Sequence, residues 1–199
     1  MITLFHAPKS RSTRFLFLLE ELGVPYDVKV VTIRRGDGSG AIDPLNPHPH
    51  AKVPALQDGD ELVFESSAIA LYLTDLYPDK GLAPKVGEPG RGQYLSMLAY
   101  YGDVLEPAFV SKFLNTVVPR GTAGWVAVDE AMAYIDKLLS AGPYIAGKKF
   151  TAADILYGTT FGMFGQSPMM PKFASVDAYV KRVLERPAYA RAMAKDSGS

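Results

Sequence analysis

The chain of 199 residues has no cysteine. That excludes disulfides, cysteine-ligated zinc, iron–sulfur clusters and a protein thiol as nucleophile. Histidine is scarce: His6, His48 and His50 are the three. None has metal-site company, and His48 and His50 sit among Pro47 and Pro49 in what reads as a solvated loop, so no metal is expected. Neither sign of charge dominates, with 21 basic and 21 acidic residues. No global field therefore recruits nucleic acid or an anionic membrane. No apolar run approaches the ~20 residues of a membrane span. The opening residues Met1 to Phe5 read as a strand, without the plan of a signal peptide. What remains is the expectation of a cytoplasmic protein, 48% hydrophobic and 21% charged, a composition ordinary for a folded soluble chain.

What is present falls into two halves. Residues 1–78 alternate strand and helix signals: a strand at 1–5, a helix at 12–22, and a strand at 26–33. The helix carries Phe15, Leu18, Leu19 and Leu22 on one stripe and stops at Gly23-Val24-Pro25. Residues 34–51 are rich in Gly, Pro and Asn and read as loop with at most one helical turn. A hairpin follows at 53–57 and 62–64 around Asp58-Gly59-Asp60, then a helix at 66–76. Residues 79–90 are Gly- and Pro-rich and read as a linker. Beyond it only helical spacing appears, at 93–115, 125–140, 152–164, 176–184 and 187–194. The expected architecture is α/β followed by all-α, with a first domain at 1–78, a linker at 79–90 and a helical domain at 91–199.

Three local patterns carry chemistry or geometry. In Lys52-Val53-Pro54-Ala55-Leu56 a proline interrupts a strand-like run. It cannot donate a ladder hydrogen bond, so it belongs at an edge or bend, and a cis Val53-Pro54 bond would be a purposeful feature. In Glu65-Ser66-Ser67-Ala68-Ile69 a carboxylate and two hydroxyls stand where a strand gives way to a helix, whose unpaired N–H groups attract an anion. Thr151-Ala152-Ala153-Asp154 reads as a capping box, with Asp154 in place of the usual Glu or Gln.

With Pro8-Lys9-Ser10-Arg11-Ser12-Thr13-Arg14 near the N-terminus and Asn46-Pro47 ahead of the proline motif, these patterns resemble the soluble glutathione S-transferases. The resemblance covers essentially the whole chain and points to a bacterial serine-type enzyme with a phi/theta-like N-terminal motif. It implies a thioredoxin-like N-terminal domain, a helical C-terminal domain and a homodimer. It also implies glutathione as co-substrate and, from the family, a role in detoxification. By resemblance, Pro54 is the cis-proline that frees the Val53 backbone to pair with the cysteinyl part of glutathione. Glu65 meets the γ-glutamyl ammonium, Ser66 and the helix N–H groups meet its carboxylate, and Lys52 meets the glycyl carboxylate. Charge agrees, since a ligand with two carboxylates and one ammonium needs donors and one acid. Where relatives often carry glycine before the lysine, this chain has Ala51, and His50 is a second candidate for the glycyl end.

Glutathione reacts as a thiolate. Lowering a thiol pKa of ~8.5 by about two units takes about 2.7 kcal/mol. A charge-assisted hydrogen bond supplies ~1.5–3 kcal/mol and a helix N-terminus roughly 0.3–1 more, so one hydroxyl at the first helix suffices. In phi- and theta-like relatives that serine lies shortly after the first strand and ahead of an arginine. Here the position matches Ser10, followed by Arg14, with Ser12 as second choice. Phe5 and His6 stand where a tyrosine-type enzyme would place its phenol.

The second substrate is expected to be a small apolar electrophile against the helical domain. Tyr100, Tyr101, Val104 and Phe109 are the candidates to contact it, with Phe161, Phe164, Met163, Met169 and Met170 as an adaptable wall. Asp103 is a candidate to approach a neighbouring subunit's glutathione. Conjugation is the leading reaction. The alternatives are glutathione-dependent peroxide or disulfide reduction on the same fold, and a non-catalytic binding protein that keeps the fold.

Overall fold

In the computed structural model the described residues are 1–165, 167 and 171–197; Met169 and Met170, expected in the substrate wall, lie outside them. The chain forms two compact units, one of residues 1–77 with 186–199 and one of residues 78–185.

The first unit is built on a four-stranded sheet of order β2-β1-β3-β4. Its strands are β1 (Ile2–His6), β2 (Tyr26–Val30), β3 (Ala55–Asp58) and β4 (Glu61–Phe64). β1 runs parallel to β2, with α1 (Thr13–Leu22) between them, and antiparallel to β3, which pairs with β4 across a tight hairpin. β2 ends earlier than the alternation suggests, and residues 31–54 contain no helical turn. α2 (Ser66–Leu76) follows β4 with the bounds read from the sequence.

α1 ends as its sequence dictates, with Gly23 in the left-handed conformation donating to the Leu19 carbonyl. Its apolar stripe, however, is not its whole apolar surface. Phe15, Leu16, Phe17, Leu18 and Leu19 are all fully buried, and a helix apolar all round needs cover on two sides. The second cover is α8 (Pro187–Asp196), whose Tyr189 meets Phe17 edge-on at 5.4 Å. The sequence assigns this helix to the helical domain, and by its contacts it packs within the first unit. Arg186 grips Glu21 with two hydrogen bonds, and Arg191 and Lys195 both reach Glu20. Burial pushes the Glu20 pKa up, but hydrogen bonds from Lys195, Arg191 and Tyr26 prevail and hold it down at about 2.

The second unit contains α3 (Arg91–Tyr100), α4 (Glu106–Phe113), α5 (Val128–Ala141), α6 (Ala152–Phe164) and α7 (Ala174–Leu184). Where helical spacing suggests one long helix from residue 93 to 115, a π-helical segment, Tyr101–Leu105, separates α3 from α4. Pro107 explains it: its ring has no N–H to continue the ladder and would crowd the carbonyl one turn earlier. Residues 79–90, read as a linker, include Leu82, which is buried and accepts the Ala152 N–H at 2.8 Å. At Gly158 a Cβ would lie 2.5 Å from Val183 Cγ1, so α6 and α7 approach closely there. Among the described residues no helix is long and apolar enough to cross a membrane.

Candidate functional site

Register brings the sequence motifs of the first unit to one end of its sheet. Phe5 lies opposite Ala55, and Ala55 opposite Phe64. The next residue along each strand toward that end is therefore His6 on β1, Pro54 before β3 and Glu65 after β4. Strands lie about 4.8 Å apart, so the turn after β1, the Val53-Pro54 bend and the start of α2 are neighbours.

The Val53-Pro54 peptide is cis, and among the described residues Val53 takes no part in backbone hydrogen bonds outside the helices and strands. The loop before it is pinned by Asn46, whose amide donates to the Lys52 carbonyl at 2.9 Å and whose carbonyl oxygen accepts the His48 N–H at 3.1 Å. His48 is buried edge-on against Phe64 at 5.3 Å, and its Nδ1 accepts the His50 N–H at 3.0 Å. Burial pushes the His48 pKa down, against the pull of Glu65. Ala51 adopts φ 49, the left-handed conformation in which glycine is usual. Lys52 and His50 are both exposed.

Glu65 is exposed and has φ 70, ψ 131, a strained backbone for a residue with a side chain and a kind of strain that concentrates at ligand clamps. Its carbonyl opens α2 by accepting the Ile69 N–H at 3.0 Å, and its side chain does not cap the helix. The N-terminus of α2 thus points polar hydrogen toward the side where Glu65 and the half-buried Ser66 stand.

The turn after β1 distinguishes its two serines. Ser10 is partly exposed; its hydroxyl donates to the Ala7 carbonyl at 2.6 Å and its oxygen accepts the Ser12 N–H at 3.2 Å. Ser12 is fully buried, with Oγ 2.8 Å from His6 Nδ1 and 3.1 Å from the Ala7 nitrogen. Ser12, the second choice for meeting a ligand, therefore presents no surface to one. It does not cap α1 with its side chain either. Sequence reading missed what Ser12 is bound to, namely His6 and, beyond it, Asp196 of α8 at 3.3 Å from His6 Nε2. Neither has a local motif; the one signal is a histidine ending a mostly apolar strand.

In the second unit the proposed electrophile contacts separate by burial. Tyr101 is 1% exposed and its hydroxyl bonds Glu106 and Thr160, so it is a core residue and not a wall. Tyr100 and Val104 are half-buried, Tyr100 against the Tyr134 ring at 5.3 Å. Phe109 is half-buried too and meets Phe161 and Phe164 edge-on at 6.3 and 6.1 Å. Met163 and Asp103 are exposed. Asp154 is a structural cap: its carboxylate accepts the Thr151 N–H and hydroxyl, closing the capping box, as well as the Ile145 N–H and the Tyr179 hydroxyl. Among the described residues no group of three or more histidine or acidic side chains is placed to hold a metal ion.

Comparison with known proteins agrees with this geometry. Residues 1–75 match the glutathione S-transferase N-terminal domain and residues 126–196 the glutathione S-transferase C-terminal domain. A beta class glutathione S-transferase from Sphingomonas chungbukensis is 30% identical, with 98% of each chain covered and a TM-score of 0.78. A sphingomonad glutathione S-transferase complexed with glutathione is 29% identical over 99% of this chain and 100% of its own, with a TM-score of 0.79. A curated glutathione S-transferase of Hyoscyamus muticus is 26% identical, covering 90% of this chain and 91% of its own. The fold, its two matched domains and these full-length relatives place the chain in the glutathione S-transferase family.

Proposed function

We propose that the protein is a serine-type glutathione transferase that joins the glutathione thiolate to a small apolar electrophile. The observation that carries this reading is the convergence of Ser10, Val53-Pro54 and Glu65-Ser66 at one end of the sheet, fixed by the β1–β3–β4 register. The free Val53 backbone pairs with the cysteinyl part of glutathione. Glu65 binds the γ-glutamyl ammonium, and Ser66 with the start of α2 binds its carboxylate. Lys52 and His50, both exposed, supply positive charge for the glycyl carboxylate.

The Ser10 hydroxyl, resting on the Ala7 carbonyl, turns to donate to the sulfur. A donor to a developing thiolate lowers the thiol pKa because it favours the charged form. The sulfur then attacks the electrophile, forming a carbon–sulfur bond as the leaving group departs or the addition completes. Tyr100, Val104 and Phe109 offer apolar surface for the electrophile. The reading includes a homodimer working in detoxification, in the cytoplasm, where glutathione is held mainly as thiol. It assigns glutathione to residues 1–78 and the electrophile mainly to the helical domain.

The test is Ser10→Ala, followed through the ultraviolet absorbance of bound thiolate against pH and through turnover of a halogenated aromatic and of a hydroperoxide. Loss of one charge-assisted donor should raise the bound thiol pKa by about one to two units. Turnover should fall roughly 10–100-fold near neutral pH while glutathione still binds. An unchanged thiol pKa would sink the role of Ser10. Failure to bind glutathione at millimolar concentration would sink the enzyme reading, and turnover of the hydroperoxide alone would favour reduction over conjugation.

A further inference from the structure

His6 ends β1 with both ring nitrogens facing side chains of consequence. It is 1% exposed. Nδ1 lies 2.8 Å from Ser12 Oγ, and Nε2 lies 3.3 Å from Asp196 Oδ1. Asp196 closes α8, is 2% exposed, and also accepts the Lys9 N–H at 3.1 and 3.2 Å and the Thr13 hydroxyl at 2.5 Å. On the other side, Ser12 Oγ lies 2.8 Å from Ser10 Oγ. Four side chains therefore form one line from a buried carboxylate to a hydroxyl that reaches solvent.

The buried carboxylate gives the protons on this line an order. A carboxylate only accepts, so the neutral ring carries its proton on Nε2 and leaves Nδ1 as an acceptor. Ser12 then gives its one proton to Nδ1 at 2.8 Å in preference to the Ala7 carbonyl at 3.2 Å, while its oxygen accepts the Ala7 N–H. Ser10 is left with a proton poised between the Ala7 carbonyl and Ser12 Oγ. Among the described residues Nε2 makes no well-directed hydrogen bond. Against a neutral ring the nearby carboxylate thus acts through its charge alone, favouring the proton on Nε2, whereas against an imidazolium it acts as a full opposite charge, for which alignment matters less. Burial pushes the His6 pKa down further than Asp196 pushes it back up, so the resting ring is neutral and able to accept.

We propose that this line is a proton relay that takes up the thiol proton of bound glutathione and keeps it on the protein. As the S–H bond breaks, the thiol proton passes to Ser10 Oγ, the Ser10 proton to Ser12 Oγ, and the Ser12 proton to His6 Nδ1. The products are a thiolate and an imidazolium paired with Asp196. Every hydroxyl in the line then points outward, and Ser10 donates to the thiolate it has helped to form. His6 and Asp196 touch no substrate atom; they position the proton through the two serines. The proposal rests on Ser10 facing the glutathione sulfur, as read above.

Two measurements on the whole protein with glutathione test it: the nitrogen-15 resonances of the His6 ring, and the protons released to a weakly buffered solution for each thiolate formed. With three histidines in the chain, the His6 signals are assigned by their loss in His6→Asn. Near pH 7, saturating glutathione should convert the His6 ring to an imidazolium and release close to zero protons per thiolate. In Ser12→Ala and in Asp196→Asn the ring should stay neutral, and about one proton per thiolate should appear in solution. If the unaltered protein forms thiolate while His6 stays neutral, or releases a full proton, the relay is overturned and the Ser10 assignment survives. If the unaltered protein forms no thiolate, or Ser10→Ala forms as much as it does, the Ser10 assignment fails and the relay with it. The measurements on the unaltered protein decide the matter even where a variant does not fold.

Discussion

Asp154 and Asp196 are the two nearly inaccessible carboxylates among the described residues, one in each compact unit, and their surroundings differ in kind. Asp154 is encircled by groups that keep their protons near neutral pH: two backbone N–H groups at 2.8 Å, the Thr151 hydroxyl at 3.1 Å and the Tyr179 hydroxyl at 3.0 Å. None of these neighbours can change charge there, and the Asp154 carboxyl group locks the start of α6. Asp196 binds one backbone N–H and one hydroxyl and turns an oxygen toward a histidine. Burial alone therefore does not mark a functional acid. What marks it is a neighbour that can take a proton, linked to a group that reaches solvent.

The contrast can be broken most forcefully at Asp154. Replacing it with alanine strands two buried N–H groups and the Thr151 hydroxyl, while the Tyr179 hydroxyl keeps the Asp154 backbone carbonyl at 3.2 Å. Each buried unsatisfied group costs about 1–3 kcal/mol, so Asp154→Ala should lose on the order of 4 kcal/mol in urea unfolding. The folded fraction should keep its glutathione affinity. A loss below about 1 kcal/mol would mean that the cap is not the lock described.

A smaller effect follows from acidity. Burial pushes the Asp154 pKa up to about 6, against hydrogen bonds from Ile145, Thr151 and Tyr179 that pull it down. The folded state thus holds the proton more tightly than the unfolded chain, whose carboxylate titrates near ~3.9. The resulting stability is complete below about pH 4 and is lost as pH rises through about 6, by on the order of 3 kcal/mol. Unfolding free energy measured across that window should slope downward with pH in the parent and lose this component in Asp154→Asn.

The smallest effect belongs to the Asp196 side. Thr13→Val removes one hydroxyl donor from that carboxylate and should cost about 1 kcal/mol, read as a lower unfolding midpoint. Unlike either change at Asp154, it should also alter the thiol pKa of bound glutathione, because it changes the field on His6 and removes the acceptor of the Ser10 N–H at 3.4 Å. A stability loss with no movement of that pKa would make Asp196 a second Asp154.

How far each region was legible follows the same division. Thr151 and Asp154 are three positions apart, and the capping box is a rule about three positions; α6 has the bounds read from the sequence. Val53-Pro54 and Glu65-Ser66 were equally local, and a hairpin joins them. His6 and Asp196 lie near opposite ends of the chain, and no periodicity in α8 says which helix it will cover. A clue did exist in Leu16 and Phe17, apolar residues off the main stripe of α1 that required a second cover. Ser10 and Ser12 are chemically identical in the sequence, as are Tyr100 and Tyr101; burial separated each pair. Pro107 announced a break that helical spacing smoothed over.

By itself the sequence determined the two-part α/β and helical plan, the bend before β3, the polar start of α2 and the cap on α6. Each rests on propensities and hydrogen bonds among residues close in the chain. Only the tertiary structure decided which serine reaches solvent, which tyrosine is core, and that α8 lays Asp196 beside His6. Those outcomes depend on which surfaces are covered and by what, and cover is supplied by residues far away in the chain.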